Sequence, residues 1–169
     1  MPRKGAPGKD GPASFKSGRI SIRKARPSDR GFISRLSEKV FSVYGPYGNL
    51  VPAWFESGRP LAFTAVEKES PIGFAMMGRL REGPEESSPF ELLAIAVKPG
   101  AHRRGVGDLL LRRVEKEAAK LGVSALHLHT ATDNLPAREL FKKHRFISLS
   151  IKKRFYSEGQ DAVMMVRFL

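Results

Sequence analysis

The segment that most constrains the fold is an almost uninterrupted apolar run, Leu92 to Val97, which a turn and a long amphipathic helix follow. A run of this kind, without polar alternation, is typical of a strand buried on both faces of a sheet. The helix extends from about Val106 to Leu121, and after Gly122 a second apolar segment occupies Ala125 to Thr130. Strand, helix and strand in this order predict a right-handed parallel crossover.

The rest of the chain predicts further strands and helices around this unit. Alternating apolar residues indicate strands, and apolar residues at helical spacing indicate helices. Strands are expected near 20–24, 61–67, 72–80, 91–97, 125–130, 147–155 and 162–168, and helices at 32–44, within 45–60, at 106–121 and at 135–143. Hairpin turns at Ser70-Pro71 and over 82–89 would join three of the strands into a meander. The expected fold class is α/β, a mixed sheet with helices on both sides in the order β-α-α-β-β-β-α-β-α-β-β.

The chain has 169 residues, enough for one domain with a core of ordinary size. Residues 1 to about 18 are rich in proline, glycine and lysine without hydrophobic periodicity, so we expect a flexible basic arm before an ordered domain at 19–169. The apolar runs are too short for a membrane helix, and no secretory leader is visible. The absence of cysteine excludes disulfides, thiolate metal sites and cysteine nucleophiles, and we expect a cytoplasmic protein without a membrane partner.

The formal net charge is +13, the most unusual bulk property of the chain. Such a charge attracts nucleic acids, acidic proteins or phosphorylated cofactors. A generally basic proteome in the source organism is an equally good explanation, so the charge alone selects no function.

The turn before the long helix, Arg103-Arg104-Gly105-Val106-Gly107, has the composition of a phosphate site. The first turn of a helix offers unpaired N–H donors and a partial positive charge. Glycines let the backbone approach a diphosphate, and the arginines add fixed charge. The alternative is an ordinary glycine-containing turn with solvated arginines.

Three segments together resemble the GNAT N-acetyltransferase superfamily. Residues 91–107, ELLAIAVKPGAHRRGVG, resemble its central motif, Q/R-x-x-G-x-G/A after an apolar strand, with His102 at the first motif position. Residues 132–146, TDNLPARELFKKHRF, resemble the second motif, a helix that begins after an asparagine. Residues 155–165, FYSEGQDAVMM, resemble the tail of protein N-terminal acetyltransferases, including the bacterial ribosomal-protein type. The similarity spans roughly 19–169.

The resemblance implies acetyl-CoA as co-substrate. It implies a β-bulge that opens the sheet, so that the pantetheine arm lies beside the central strand and the diphosphate rests on backbone amides of the following turn. Asn134 matches a position that contacts the cofactor arm, although it is also a good helix N-cap. The residues implied in cofactor binding are Ile95, Ala96, Val97, Arg103, Arg104, Gly105, Val106, Gly107, Asp108 and Asn134.

Three residues are candidates for proton transfer, namely Glu91, His129 and Tyr156. Glu91 matches the general-base glutamate of the histone-acetyltransferase branch, and His129 lies where ribosomal-protein-type enzymes carry a catalytic glutamate. Each has a simpler alternative, a solvated carboxylate for Glu91 and a pocket-wall histidine for His129. His127 shares a strand face with His129, but no third ligand indicates a metal site.

Besides His102, which replaces the Gln or Arg of the central motif, two further positions depart from the family pattern. Phe141 stands where many members place a tyrosine that protonates the coenzyme A thiolate. Either the thiolate leaves unassisted, or Tyr156 or water substitutes, or activity is weakened. Arg145 stands where relatives usually have a helix-ending glycine. If its φ is positive, Arg145 costs on the order of 1 kcal/mol.

Aromatic residues are the candidates for substrate binding. The resemblance implies that a peptide is held between the loop joining the first two helices and a hairpin before the last strand. The matching residues are Tyr44, Tyr47, Trp54 and Phe155. The alternative is that they only pack the core. Glu82, Glu85 and Glu86 lie in one loop that would be an acidic patch for basic substrates or simply a solvated loop.

We therefore expect an acetyl-CoA-dependent N-acetyltransferase that acts on a primary amine, with the N-terminal amine of a protein or peptide as the leading candidate. One alternative is an acetyltransferase for small amines, of the antibiotic-modifying type. The other is a catalytically weak acetyl-CoA-binding protein that associates with RNA or the ribosome through the basic arm.

Overall fold

The mixed sheet has seven strands in the part of the chain that the computed structural model describes, residues 18–79 and 89–169. Their spatial order is β1-β2-β3-β4-β5-β7-β6. The strands are β1 Ile20–Lys24, β2 Leu61–Glu67, β3 Ser70–Gly78, β4 Phe90–Val97, β5 Ala125–Ala131, β6 Ile147–Lys152 and β7 Ala162–Phe168. The helices are α1 Arg30–Phe41, α2 Tyr47–Ser57, α3 Val106–Lys120 and α4 Leu135–Lys143. The fold class and the element order predicted from sequence are confirmed.

The sheet divides into two halves at β4 and β5. Strands β1 to β4 pair antiparallel, and β5, β7 and β6 pair antiparallel. Between the halves, β4 and β5 run parallel but pair only at Phe90 with Leu126 and Glu91 with His127. Beyond Glu91 the two strands separate, and we call the space between them the β4–β5 gap.

A β-bulge at Leu93 turns the central strand. Met76 and Met77 of β3 pair with Ala94 and Leu92, so Leu93 is the extra residue. Because a bulge reverses the alternation of side chains, Leu92 packs in the core beneath α3 whereas Ala94 packs in the core beneath α1 and α2. The resemblance implies a bulge that opens the sheet beside Ile95 to Val97; the observed bulge, at Leu93, lies two residues before that segment.

The expectation that β4 is buried on both faces holds only in part. Leu92, Ala94 and Ala96 are buried, whereas Leu93 and Ile95 are only partly covered. The reason is the missing β5 neighbour, which leaves one side of the strand open along the gap.

Two predicted boundaries were wrong for identifiable reasons. The hairpin between β2 and β3 turns at Lys68 and Glu69, both with positive φ, and Ser70-Pro71 instead begins β3. Strand β6 ends at Lys152 rather than near 155, because Asp161 accepts hydrogen bonds from the Arg154 N–H and the Lys153 ammonium and so closes the chain into a turn.

Some predictions fall outside the described residues. The basic arm, apart from Gly18, and most of the loop at 82–89, with Glu82, Glu85 and Glu86, lie there. Among the helices within 18–79 and 89–169, none is long and apolar enough to cross a membrane.

Candidate active site

The β4–β5 gap contains a cavity of about 240 Å³. Its floor is the separated part of β4 with Leu93 and Ile95, and its far wall is β5 with Thr130. Helices α1 and α2 cover one side, and the turn between β6 and β7 closes the other. The cavity exists because the strand ladder stops at Glu91, so the sheet itself supplies the site.

The N-terminus of α3 lies at the end of the strand that lines the gap. Gly105 is the N-cap, with φ of 76°, and no side chain caps the helix there. A Cβ added to Gly105 would meet no atom within 4 Å. The first-turn N–H groups of the helix are therefore accessible to an anion. Gly107 is needed for a different reason, namely the packing of two helices. A Cβ there would come within 3.1 Å of Leu140, so this glycine lets α3 and α4 approach each other.

The basic residues of the turn have specific environments. Arg104 donates to both carboxylate oxygens of Glu67 on β2, at 2.9 and 2.5 Å. This carboxylate offsets part of the positive charge of the guanidinium. Arg103 has φ of 59° and forms the tight part of the turn. His102 donates from Nε2 to the carbonyl oxygen of Val97 at 2.8 Å, and so ties the turn to the end of β4.

The predicted proton-transfer residues Glu91 and His129 lie on opposite sides of the gap. Their closest atoms, Glu91 Oε1 and His129 Nδ1, are 4.0 Å apart. The His129 ring stacks on Phe155, with 4.5 Å between ring centroids and 9° between planes. Burial, and then the charges of Lys152 and His127, lower the pKa of His129 to about 4. His129 is therefore neutral near pH 7 and can accept a proton.

Tyr156 is buried at the same cavity as Phe141. Burial, and then neighbouring Tyr47 and Tyr44, raise the pKa of Tyr156 well above its usual range. Its hydroxyl therefore stays protonated at every working pH and is available as a hydrogen-bond donor. Phe141, which has no proton to donate, forms part of the apolar wall.

The four predicted substrate-binding aromatics all line the cavity, beside Tyr156. Tyr44 and Tyr47 lie 4.9 and 5.7 Å from Tyr156 between ring centroids, and Trp54 packs edge-on against Tyr47 at 6.4 Å. Phe155 contacts Tyr156 at 5.0 Å. The structure therefore brings the helical residues and the turn residues into one aromatic cluster.

Asn134 is placed both as a helix N-cap and as a residue of the cavity wall. Its side chain accepts a hydrogen bond from the Ala137 N–H at 3.3 Å, as an N-cap does, and it also lines the cavity. His127 has a buried Nδ1 without a hydrogen-bond partner. Within the described part of the chain, no group of three or more histidine and acidic side chains is arranged to hold a metal ion.

Sequence reasoning missed part of the cavity wall. Phe41, Leu50 and Val51 on α1 and α2, and Ala137 on α4, line it as well. Sequence could not have distinguished them, because a core-facing residue and a cavity-facing residue give the same helical periodicity.

The residues present fit acetyl-CoA in two places. An elongated arm fits the open side of β4, where strand pairing with β5 has ended. A diphosphate fits the uncapped N-terminus of α3, where glycine leaves free space beside the backbone.

Comparison with known proteins agrees with this geometry. The sequence profile described as the Acetyltransferase (GNAT) family matches residues 31–146. An N-alpha-acetyltransferase of Saccharolobus solfataricus is 24% identical over 155 residues, which cover 88% of this chain and 92% of that protein.

Solved structures show the same fold. Arabidopsis thaliana NAA60 in complex with a bisubstrate analogue superposes with a TM-score of 0.76 at 20% identity, over 89% of this chain and 98% of that one. The ribosomal-protein-S18-alanine N-acetyltransferase of Escherichia coli superposes with a TM-score of 0.71 at 23% identity, over 88% and 92%. The chain belongs to the acetyltransferase (GNAT) family and is an N-acetyltransferase with acetyl-CoA as its co-substrate.

Proposed function

We propose that this enzyme acetylates the α-amino group at the N-terminus of a protein or peptide. The observation that carries the proposal is the aromatic cluster of Tyr44, Tyr47, Trp54, Phe155 and Tyr156, which borders the same cavity as Glu91 and His129. An extended peptide needs walls on two sides, and the cluster supplies them from α1–α2 and from the β6–β7 turn. The names of the relatives, an N-alpha-acetyltransferase and a ribosomal-protein alanine N-acetyltransferase, support the same class of acceptor.

A hydrogen bond joins the two sides of the aromatic cluster. Gln160 donates from its side-chain nitrogen to the Val43 carbonyl oxygen at 2.8 Å, which joins the β6–β7 turn to the segment between α1 and α2. Both walls are thus held at a fixed separation. A fixed separation favours an extended chain of defined width over small amines of varied shape.

The reaction requires a neutral amine, and Glu91 and His129 are placed to produce it. Acetyl-CoA supplies the thioester; the new bond joins the amine nitrogen to the acetyl carbon, and the carbon–sulfur bond breaks. Neutral His129 can take the ammonium proton directly or through water, and the Glu91 carboxylate, 4.0 Å away, can stabilise the charge that the histidine then carries. The alternative assignment, in which Glu91 is the proton acceptor, uses the same two groups.

Two further groups complete the proposed mechanism. Backbone N–H groups near Ala96 or Val97 are the proposed donors to the thioester carbonyl, because the β5 ladder does not extend to them. Tyr156, which stays protonated, is the proposed proton donor to the leaving thiolate in place of Phe141.

A binding experiment tests the co-substrate site. Acetyl-CoA at about 100 times its Kd should add roughly 2.7 kcal/mol to the free energy of unfolding and raise Tm by several degrees. Gly105→Asp places a carboxylate at the proposed diphosphate site and should abolish the shift. Gly122→Asp is the matched control, because Gly122 has nearly the same φ, 73° against 76°, and equal free space, at the other end of α3.

A turnover experiment tests the acceptor. The chain has no cysteine, so a thiol reagent reports released coenzyme A without background from the enzyme. We expect turnover with peptides that carry a free N-terminus and none with the same peptides blocked at the N-terminus but carrying free lysine. Equal rates on blocked peptides, or turnover on small amines alone, would contradict the proposal.

We further propose that the basic arm at 1–18 contacts RNA and that the enzyme acts in the cytoplasm. The arm carries Arg3, Lys4, Lys9 and Lys16 against Asp10, and this excess of positive charge supports contact of the arm with ribosomal RNA. RNA affinity should then fall steeply with salt, and removal of residues 1–18 should eliminate most of it while peptide turnover persists. Undiminished RNA affinity after the truncation would assign binding to the rest of the surface.

A further inference from the structure

A buried histidine lies between two carboxylates of α3. His144, at the C-terminus of α4, is 6% exposed. Its Nε2 is 2.9 Å from Oδ1 of Asp108, and its Nδ1 is 3.0 Å from Oε1 of Glu115. Asp108 belongs to the first turn of α3, and Glu115 lies seven residues later on the same side of the helix.

Cations surround both carboxylates. Lys143 and Arg112 contact Asp108 at 3.0 and 2.9 Å. Arg167 of β7 donates to Glu115 at 2.6 Å and to the His144 carbonyl oxygen at 2.7 Å. We call this group the His144 cluster; its members are Asp108, Arg112, Glu115, Lys143, His144 and Arg167.

The geometry sets the charge of the ring. Both ring nitrogens of His144 face carboxylate oxygens, and an ionised carboxylate only accepts hydrogen bonds, so the doubly protonated ring is the form that donates to both partners. Burial alone would raise the pKa of Asp108, but hydrogen bonds from Lys143, His144 and Arg112 outweigh it and hold the pKa far below its usual range. Asp108 therefore remains an anion within the first turn of α3.

An anion at this place conflicts with the co-substrate site. The first-turn N–H groups of α3 are where the diphosphate of acetyl-CoA is expected to bind, and a free carboxylate there repels it. Lys143 and Arg112 are largely exposed, with side-chain exposures of 65% and 67%, so water screens their charges. His144 is the buried partner of Asp108, so water screens this contact less than it screens the other two.

We propose that His144 is a positioning residue for acetyl-CoA. Its doubly protonated ring neutralises the Asp108 carboxylate and fixes it against α4, so that the first turn of α3 presents N–H donors rather than an unpaired negative charge. Through Glu115 and Arg167 the same ring ties α3 to β7. The inference rests on the co-substrate site at α3 and not on the identity of the acceptor amine.

The test measures binding of coenzyme A by calorimetry. His144→Gln can pair with only one carboxylate and cannot be a cation, so we expect Kd to rise about tenfold. Maximal turnover at saturating acetyl-CoA should stay within about twofold of wild type, because the change affects binding alone. Lys142→Gln is the matched control, since it also removes one positive charge from α4 but lies on the surface beside Glu139; its Kd should match wild type.

A double variant separates this role from packing. Asp108→Asn with His144→Gln removes the unpaired anion, and its Kd should return to within about twofold of wild type. Asp108→Asn alone is the reference for the double variant, and the proposal requires the two to share the same Kd; His144→Asn replaces His144→Gln if that variant does not fold. A lowered Tm of His144→Gln with unchanged Kd would overturn the proposal, and so would a double variant as weak as the single one.

The readout is independent of the proposed acceptor. An enzyme that binds coenzyme A but acetylates no peptide would refute the acceptor class while leaving the ratio of Kd values between variants interpretable. Equal affinity of wild type and His144→Gln at every pH from 6 to 9 would refute the His144 proposal whatever the acceptor is.

Discussion

Glu91 and His129 face each other across the point where β4 and β5 separate, with 4.0 Å between Oε1 and Nδ1. Each comes from a different half of the sheet, and both border the cavity. The separation is longer than a hydrogen bond but short enough for a bridging water or a substrate ammonium to contact both. We therefore propose that this pair carries the acid–base step.

Substitution of either member should lower the rate. We expect His129→Gln and Glu91→Gln each to reduce kcat by about 10²-fold, the lower range for loss of a general base, with little change in the Kd of acetyl-CoA. The variant with the larger effect identifies the proton acceptor. Steady-state kinetics at saturating acetyl-CoA measures this, and wild-type kcat in both variants would exclude the pair from catalysis.

The lowered pKa of His129 also predicts a pH dependence of stability. Burial is the main cause, and it brings the pKa from the model-compound value of 6.5 to about 4 in the folded protein. Between these values the unfolded chain binds more protons than the folded one, so stability is complete above pH 6.5 and is lost as pH falls toward 4. Denaturant unfolding at pH 7 and pH 4.5 should show a larger loss for wild type than for His129→Gln. Equal losses would mean that the histidine is not desolvated.

Tyr156 should be needed for protonation of the leaving thiolate. The hydroxyl stays protonated, and the residue lines the same cavity as Phe141. We expect Tyr156→Phe to lower kcat by about 10²-fold. Phe141→Tyr in that background should restore part of the rate, because it returns a donor to the position where relatives carry one. If Tyr156→Phe keeps wild-type kcat, water protonates the thiolate.

Periodicity predicted the elements well because each is a local pattern. The crossover from β4 through α3 to β5 was expected from an apolar run, a helix and a second run, and α4 was predicted with its observed bounds. Gly105 and Asn134 also stood out in the sequence, because each belongs to a local motif. In the structure they are the N-caps of α3 and α4.

What escaped prediction depends on contacts between distant elements. The position of β7 between β5 and β6 follows from how the whole sheet assembles, and no local pattern encodes it. No sequence pattern singles out His144, and only the packing of α4 on α3 shows that Asp108 and Glu115 enclose it. The hairpin at Lys68-Glu69 was missed because turns with positive φ usually contain glycine or asparagine.

Arg145 should be a position where glycine stabilises the protein. Its φ is 64°, so the condition stated for a steric cost at this position is met, and its side chain is exposed. Arg145→Gly should raise the free energy of unfolding by about 0.5–1 kcal/mol, since glycine adopts this conformation without steric cost. Lys116→Gly is the control, at an exposed site inside α3, and should lower stability by about 1 kcal/mol. Chemical denaturation measures both, and a destabilised Arg145→Gly would reveal a contact of the arginine in solution.

The aromatic cluster should determine peptide affinity separately from co-substrate affinity. Tyr47 contacts both Trp54 and Tyr156, so its ring joins the wall from α2 to the wall from the β6–β7 turn. Tyr47→Ala should raise the peptide KM by at least about tenfold, because it removes one face of the binding slot, while the Kd of acetyl-CoA stays within about twofold. Tyr47→Phe keeps the ring and should bind peptide nearly as wild type does unless the hydroxyl contacts the peptide. A KM that is insensitive to Tyr47→Ala would mean that these rings only pack the core, and the acceptor would then be a smaller amine that does not reach α2.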